Sequence, residues 1–253
     1  VRGIGAPVIF VRLQGCHLRC YKNSLGTLCD TPEGLEKNVV NELDTQEILR
    51  RLLQVHEKTK IDLVCLSGGD PLWNDTAELH SLFKGMSERG LTVSVETSGT
   101  LSAQPFIDYP NLHWVFDYKL KSAAVSNRFH PDNLLIPNSH VKLVIYDKED
   151  LDEAILITKS FRTMQHPSTI AIANYWGAKI KYPEITSRIF AEGLGDYVMF
   201  SAQLHKLLRC VMLSKVVMYL IKSMTGQCKD LLNFYRNLDL FYFLYVFIIV
   251  YNQ

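Results

Sequence analysis

The feature that most constrains the fold is an alternation along the chain. Short runs rich in β-branched residues recur at 7–13 (PVIFVRL), 61–66 (IDLVCL), 91–95 (LTVSV), 113–116 (HWVF), 141–145 (VKLVI), 169–173 (TIAIA) and 197–200 (YVMF). Such runs read as strands. Helix-period segments fall between them. Asp44 and Glu47 read as a capping box, followed by Ile48, Leu49, Leu52 and Leu53 on one helical face. Further helices are expected over 75–89 with Gly90 at the C′ position, over 148–161 with a stripe of Leu151, Ala154, Ile155 and Thr158, and over 182–191. Strands alternating with helices call for a parallel sheet joined by crossovers. In such folds the loops at the carboxyl edge of the sheet carry the site.

Composition narrows the function classes. The chain has 253 residues, a net charge of +1, 47% hydrophobic and 21% charged residues, which suits a folded domain large enough for its own core. Near-neutral charge gives no case for direct nucleic-acid binding. No apolar run reaches the roughly 20 residues of a membrane span, and no secretory signal opens the chain, so a cytoplasmic protein without a membrane partner is expected.

Cysteine placement is the strongest chemical signal. Of six cysteines, Cys16, Cys20 and Cys29 follow the first strand together. Three thiolates on one loop can each bind one iron of a [4Fe–4S] cluster and leave the fourth iron open. The alternative is a zinc site, with His17 as a fourth ligand, although paired zinc cysteines are usually separated by two residues and Cys16 and Cys20 by three. Ser67-Gly68-Gly69-Asp70-Pro71-Leu72 follows the second strand, Glu96-Thr97-Ser98-Gly99-Thr100 the third and Asp117-Tyr118-Lys119 the fourth. Each alone reads as a solvated loop. Set in register at one sheet edge, they read as a shared site. Cys65 reads as a buried apolar residue. Cys210 and Cys228 read as inert thiols. His113 and His140 read as structural or exposed, and Trp73, Trp114 and Trp176 as packing residues.

These segments, with VKLVIYDKEDLDEA and SAQLHKL (201–207), occur in an order that resembles the radical S-adenosylmethionine enzymes, and among them the 7-carboxy-7-deazaguanine synthases. The resemblance implies a partial (β/α)6 barrel over 1–209 with the cluster at its carboxyl-edge mouth. It implies Cys16, Cys20 and Cys29 as cluster ligands, and S-adenosylmethionine on the open iron, held by Gly69, Asp117, Tyr118 and Lys119. It implies Arg12 and Ser67 as contacts to a pterin substrate, and Thr31 as the ligand of Mg²⁺. The implied reaction converts 6-carboxy-5,6,7,8-tetrahydropterin to 7-carboxy-7-deazaguanine with loss of ammonia, through a 5′-deoxyadenosyl radical, in 7-deazapurine (queuosine-type) biosynthesis. An external electron donor is needed, and homodimer formation is left open. Two other readings remain: an activating enzyme that makes a glycyl radical on a partner protein, and a non-catalytic zinc- or cluster-binding module.

The chain departs from the family pattern in three places. Residues 21–28 separate Cys20 from Cys29 where the superfamily has two residues, and are expected to loop out. A Gln-Gly-Glu segment before the first strand is absent. A tail over 210–253 has unfamiliar composition, ending in the apolar run 240–251 (LFYFLYVFIIVY), and is expected not to belong to the native product.

Overall fold

The computed structural model describes residues 6–26, 29, 31–36, 43–136, 139–202 and 246–249. His205, Lys206, Cys210, Cys228 and the helix-like stretch starting at Asp230 lie outside the described residues. The described strands are β1 (Ile9–Leu13), β2 (Leu63–Gly68), β3 (Thr92–Thr97), β4 (Leu112–Tyr118), β5 (His140–Ile145), β6 (Thr169–Asn174), β7 (Val198–Ser201) and β8 (Val246–Ile249). They form one sheet in the order β7-β6-β5-β4-β3-β2-β1-β8, with every neighbouring pair parallel. The expected partial barrel is therefore present as an open parallel α/β sheet whose first seven strands lie in chain order. β8, from the apolar run of the tail, lies along the outer edge of β1, with Ile9 beside Val246 and Arg12 beside Ile249.

The helices are α1 (Lys22–Leu25), α2 (Thr45–Thr59), α3 (Thr76–Ser87), α4 (Lys148–Thr163) and α5 (Tyr182–Ala191). Three start on an aspartate whose side chain accepts a backbone N–H from the first turn. Asp44 accepts from Glu47, Asp75 from Ala77 and Glu78, and Asp147 from Asp150. Gly90 closes the end of α3 at φ +69°, as its C′ position predicts. The connections β3–β4 and β4–β5 contain 3₁₀ turns and no α-helix among the described residues, fewer helices than a (β/α)6 repeat requires.

Helices α2 and α3 pack on the first four strands through Ile48, Leu52, Phe83 and Met86 against Val64, Val93 and Val95. Helices α4 and α5 pack on β5 and β6 through Leu151, Ile155, Ile185 and Ile189. A parallel sheet buried on both faces would read as continuous apolar strands. Here β1, β3 and β5 instead alternate between buried and half-buried positions. The half-buried positions are largely polar: Arg12 on β1, Ser94 and Glu96 on β3, His113 and Asp117 on β4, His140 and Lys142 on β5. The inner face of the sheet is a working surface and not a second core.

Candidate active site

Chain geometry builds the site from the loops that leave β1, β2 and β3. Gly15 N–H donates to Gly34 O at 3.0 Å and Cys16 N–H to Leu35 O at 3.1 Å. Gly69 N–H donates to Leu13 O at 3.0 Å and Asp70 N–H to Gly15 O at 2.9 Å. The cysteine loop is thereby stitched to the Gly68-Gly69-Asp70 turn on one side and to the turn Pro32–Gly34 on the other. The glycines are needed for this closeness. A Cβ on Gly69 would lie 2.3 Å from the carbonyl oxygens of both Gly15 and Gly34, and one on Gly68 would lie 1.8 Å from Leu13 O. The N–H groups of Gly69 and Asp70 are taken by the chain's own carbonyls, so the polar groups this turn can offer a ligand are its carbonyl oxygens.

Cys16 and Cys20 stand together on this loop. Cys16 Sγ accepts the Leu18 N–H at 3.4 Å, and Arg19 folds back to donate to the carbonyls of Cys16 and Leu18 at 2.7 and 2.9 Å while pairing with Glu36 at 2.6 Å. Burial pushes both thiols above their ordinary range, and the Lys119 ammonium acts on each in the opposite direction. Lys119 is itself almost enclosed and bonded to Asp117 at 2.7 Å. Burial opposes its charge, but Asp117, Cys20 and Tyr21 together raise its pKa and hold it protonated. Cys29 is half-buried beyond residues 21–28. Among the described residues no three His, Cys, Asp or Glu side chains come within reach of one metal ion. His17 Nε2 lies 2.9 Å from Thr100 Oγ1, and among the described residues His17 forms no metal-competent group with the cysteines.

Residues 21–26 hold a one-turn helix where the sequence suggested a segment that loops out. Tyr21 adopts φ +65° as it enters α1, donates its N–H to Ala123 O at 2.9 Å and packs its ring 4.5 Å from Tyr175. Ser24 Oγ donates to Ser122 O. The insertion thus joins the cysteine loop to the loop after β4, beside Lys119. Thr31 opens the Pro32–Gly34 turn, and its carbonyl accepts the Gly34 N–H at 3.1 Å. Tyr118 does not face the same way as Asp117 and Lys119. Its ring stacks on Phe129 at 5.1 Å.

Below this edge, Arg12 and Ser67 sit side by side in register on β1 and β2. Ser67 Oγ donates to Glu96 Oε2 at 3.3 Å. Glu96 lines a cavity of about 200 Å³ on the inner face, with His140, Lys142, Ala171, Met199 and Ser201 among its other walls. Glu96 falls in a segment the sequence assigns to the shared site, whereas His140 and Lys142 were given no site role. Their signal was present as polar residues at alternate positions in strands that should be apolar on both faces. His140, taken as structural or exposed, faces the cavity, whereas Cys65 is buried as expected and its thiol is pushed well up by that burial. Trp114 is a packing residue at 3% exposure, but Trp73 and Trp176 are half-exposed at 48% and 55%.

A family model described as "4Fe-4S single cluster domain" matches residues 1–106. The 7-carboxy-7-deazaguanine synthase of Thermoplasma acidophilum is 31% identical over 207 residues, 81% of this chain and 88% of that protein. The enzyme of the same name from Clostridium acetobutylicum is 29% identical over 208 residues, again 81% and 88%. A solved structure, "Native anSMEcpe with bound AdoMet", aligns with a TM-score of 0.46 at 12% identity, over 78% of this chain and 65% of that one.

Proposed function

The chain belongs to the 7-carboxy-7-deazaguanine synthase family, and from that premise we propose that it converts 6-carboxy-5,6,7,8-tetrahydropterin to 7-carboxy-7-deazaguanine with release of ammonia. One observation carries the reading onto this structure. The cysteine loop and the Gly68-Gly69-Asp70 turn share one hydrogen-bonded edge, and the Arg12–Ser67–Glu96 row begins one residue below it.

The donor set suits an iron–sulfur cluster. Two neighbouring thiols sit beside an enclosed ammonium, and a cluster spreads its cysteine ligands over separate irons without requiring them around one ion. Cys16, Cys20 and Cys29 would hold it. Bound there with S-adenosylmethionine, the cluster supplies the hydrogen-abstracting chemistry. The chain's own part is holding and orienting. Arg12 presents a bidentate guanidinium, suited to the substrate carboxylate. Glu96 presents a carboxyl at the cavity and Ser67 a hydroxyl bonded to that carboxyl, and the pair can bond the ring's polar edge. Asp117 and Lys119 form a paired polar wall toward the cysteine loop. Thr31 would offer Mg²⁺ a neutral hard oxygen, leaving most of the ion's coordination to substrate and water.

The test is turnover. Anaerobically reconstituted protein, given the pterin, S-adenosylmethionine and a reductant, is expected to yield 7-carboxy-7-deazaguanine and ammonia in equal amounts. Cofactor cleavage without either product would overturn the reading.

A further inference from the structure

A buried polar chain crosses the tops of the first three strands. Asp70 is 0% exposed, and its two carboxyl oxygens accept from Thr97 Oγ1 at 2.7 Å, from Ser98 Oγ and from the Leu72 N–H at 3.2 Å. Ser98 Oγ lies 2.8 Å from Thr100 Oγ1, and Thr100 Oγ1 lies 2.9 Å from His17 Nε2. With Asp70 as a carboxylate, the proton count sets the directions. The Ser98 hydroxyl proton goes to Asp70, so Ser98 accepts from Thr100. The Thr100 proton is then spent, so Thr100 accepts from His17, and a neutral His17 carries its proton on Nε2. Nδ1 is left as a bare acceptor, buried without a hydrogen-bond partner and 3.8 Å from Asp70 Oδ2. The Trp73 ring packs against the imidazole, tilted by 33° with centroids 4.9 Å apart.

His17 is the residue between Cys16 and the rest of the cysteine loop. Its hydrogen bond links this loop to the Ser98–Thr100 loop. We propose that His17 is a positioning residue: through Thr100 and Ser98 it fixes the cysteine loop against the Asp70 turn, so that cofactor held by the second and third loops meets the cluster in one orientation. The inference rests on the proposed function for its reference to the cofactor. It does not rest on it for the loop contact itself, which involves only the chain's own side chains.

Two measurements separate these. The first is hydrogen exchange of the Gly15, Cys16 and Leu18 amides in metal-free protein. Thr100→Val, which keeps the shape and removes the hydroxyl, is expected to speed their exchange about tenfold, with β5 and β6 amides unchanged and Thr100→Ser near wild type. His17→Gln, which keeps an N–H, is expected to retain the protection that His17→Leu loses. The second is titration of S-adenosylmethionine into reconstituted, reduced protein, followed by the change in the cluster's electron paramagnetic resonance spectrum. Thr100→Val and His17→Leu are expected to keep full iron and to bind the cofactor about 10- to 100-fold more weakly, with the double variant no worse than the weaker single. Wild-type loop exchange in both Thr100→Val and His17→Leu overturns the proposal, whatever the cluster does. So do equal losses in the conservative and the deleting variants. If wild-type protein takes up no cluster, the functional reading falls, and the exchange experiment still decides the positioning role.

Discussion

Gly69 shows how much of this site depends on one missing methyl group. The two carbonyls 2.3 Å from its Cβ position belong to backbone that cannot rotate away. Gly69→Ala is therefore expected to push the cysteine loop off the β2 turn and to lower iron uptake severalfold, read by iron analysis after reconstitution. The cysteines themselves make a sharper set. Replacing Cys16, Cys20 or Cys29 with Ala is expected to abolish cluster uptake, and Cys65→Ala to leave it unchanged, because Cys65 is buried mid-strand on β2. A Cys29→Ala protein that retains a full cluster would remove Cys29 from the ligand set. Arg12→Lys is expected to reduce product formation far more than uncoupled cofactor cleavage, since a point charge does not copy a bidentate fork. At this scale the sequence was readable where chemistry and spacing coincide, as in the cysteine loop. At Gly68-Gly69 it did not show that glycine also serves close packing of the chain on itself. It offered His17 only as a zinc ligand, because a hydrogen bond to Thr100 spans residues that no local pattern connects.

Among the elements, helix starts were the most legible, because an aspartate cap acts within one turn of its own position. Asp44 and Asp75 accept the N–H groups their spacing implies. Helix α1 was not legible: it is one turn long, entered through a left-handed Tyr21 and left through Gly26, and it exists because Tyr21 and Ser24 dock on Ala123 and Ser122. Asp150 is the clearest load on an element junction. Burial raises its pKa, while Ser122 N–H and Tyr146 N–H each bond it at 3.0 Å, tying α4 to β5 and to the loop after β4. Asp150→Ala orphans both N–H groups, at about 1–3 kcal/mol each. A lower midpoint in denaturant unfolding, without loss of helix content, is the expected result. Phe83 on α3 is fully buried, with its ring edge-on to Phe106 and Trp114. Phe83→Ala is expected to cost about 3–5 kcal/mol, lowering Tm by roughly 10 °C in a thermal melt.

For the whole molecule, the parallel architecture followed from alternation alone, and strand order followed because each crossover returns the chain beside the strand it left. The inner-face cavity did not follow, since it is assembled from single residues on five strands. Strand β8 contacts only the outer edge of β1 within the sheet, while the site loops are bonded to one another. A chain ending after Arg209 is thus expected to reconstitute with the same iron content as the full chain; loss of the cluster on truncation would tie the tail to the site. The strand order also bears on how the molecule assembles during synthesis. From β1 to β7 each strand finds its neighbour already made, so the sheet can grow in the direction of translation. The pairing of Ile9 with Val246 is the exception: it joins the two ends of the chain and is the last to be possible. Until then the outer edge of β1 stands open, a template for pairing with another chain, and the newly made protein is most vulnerable to aggregation there.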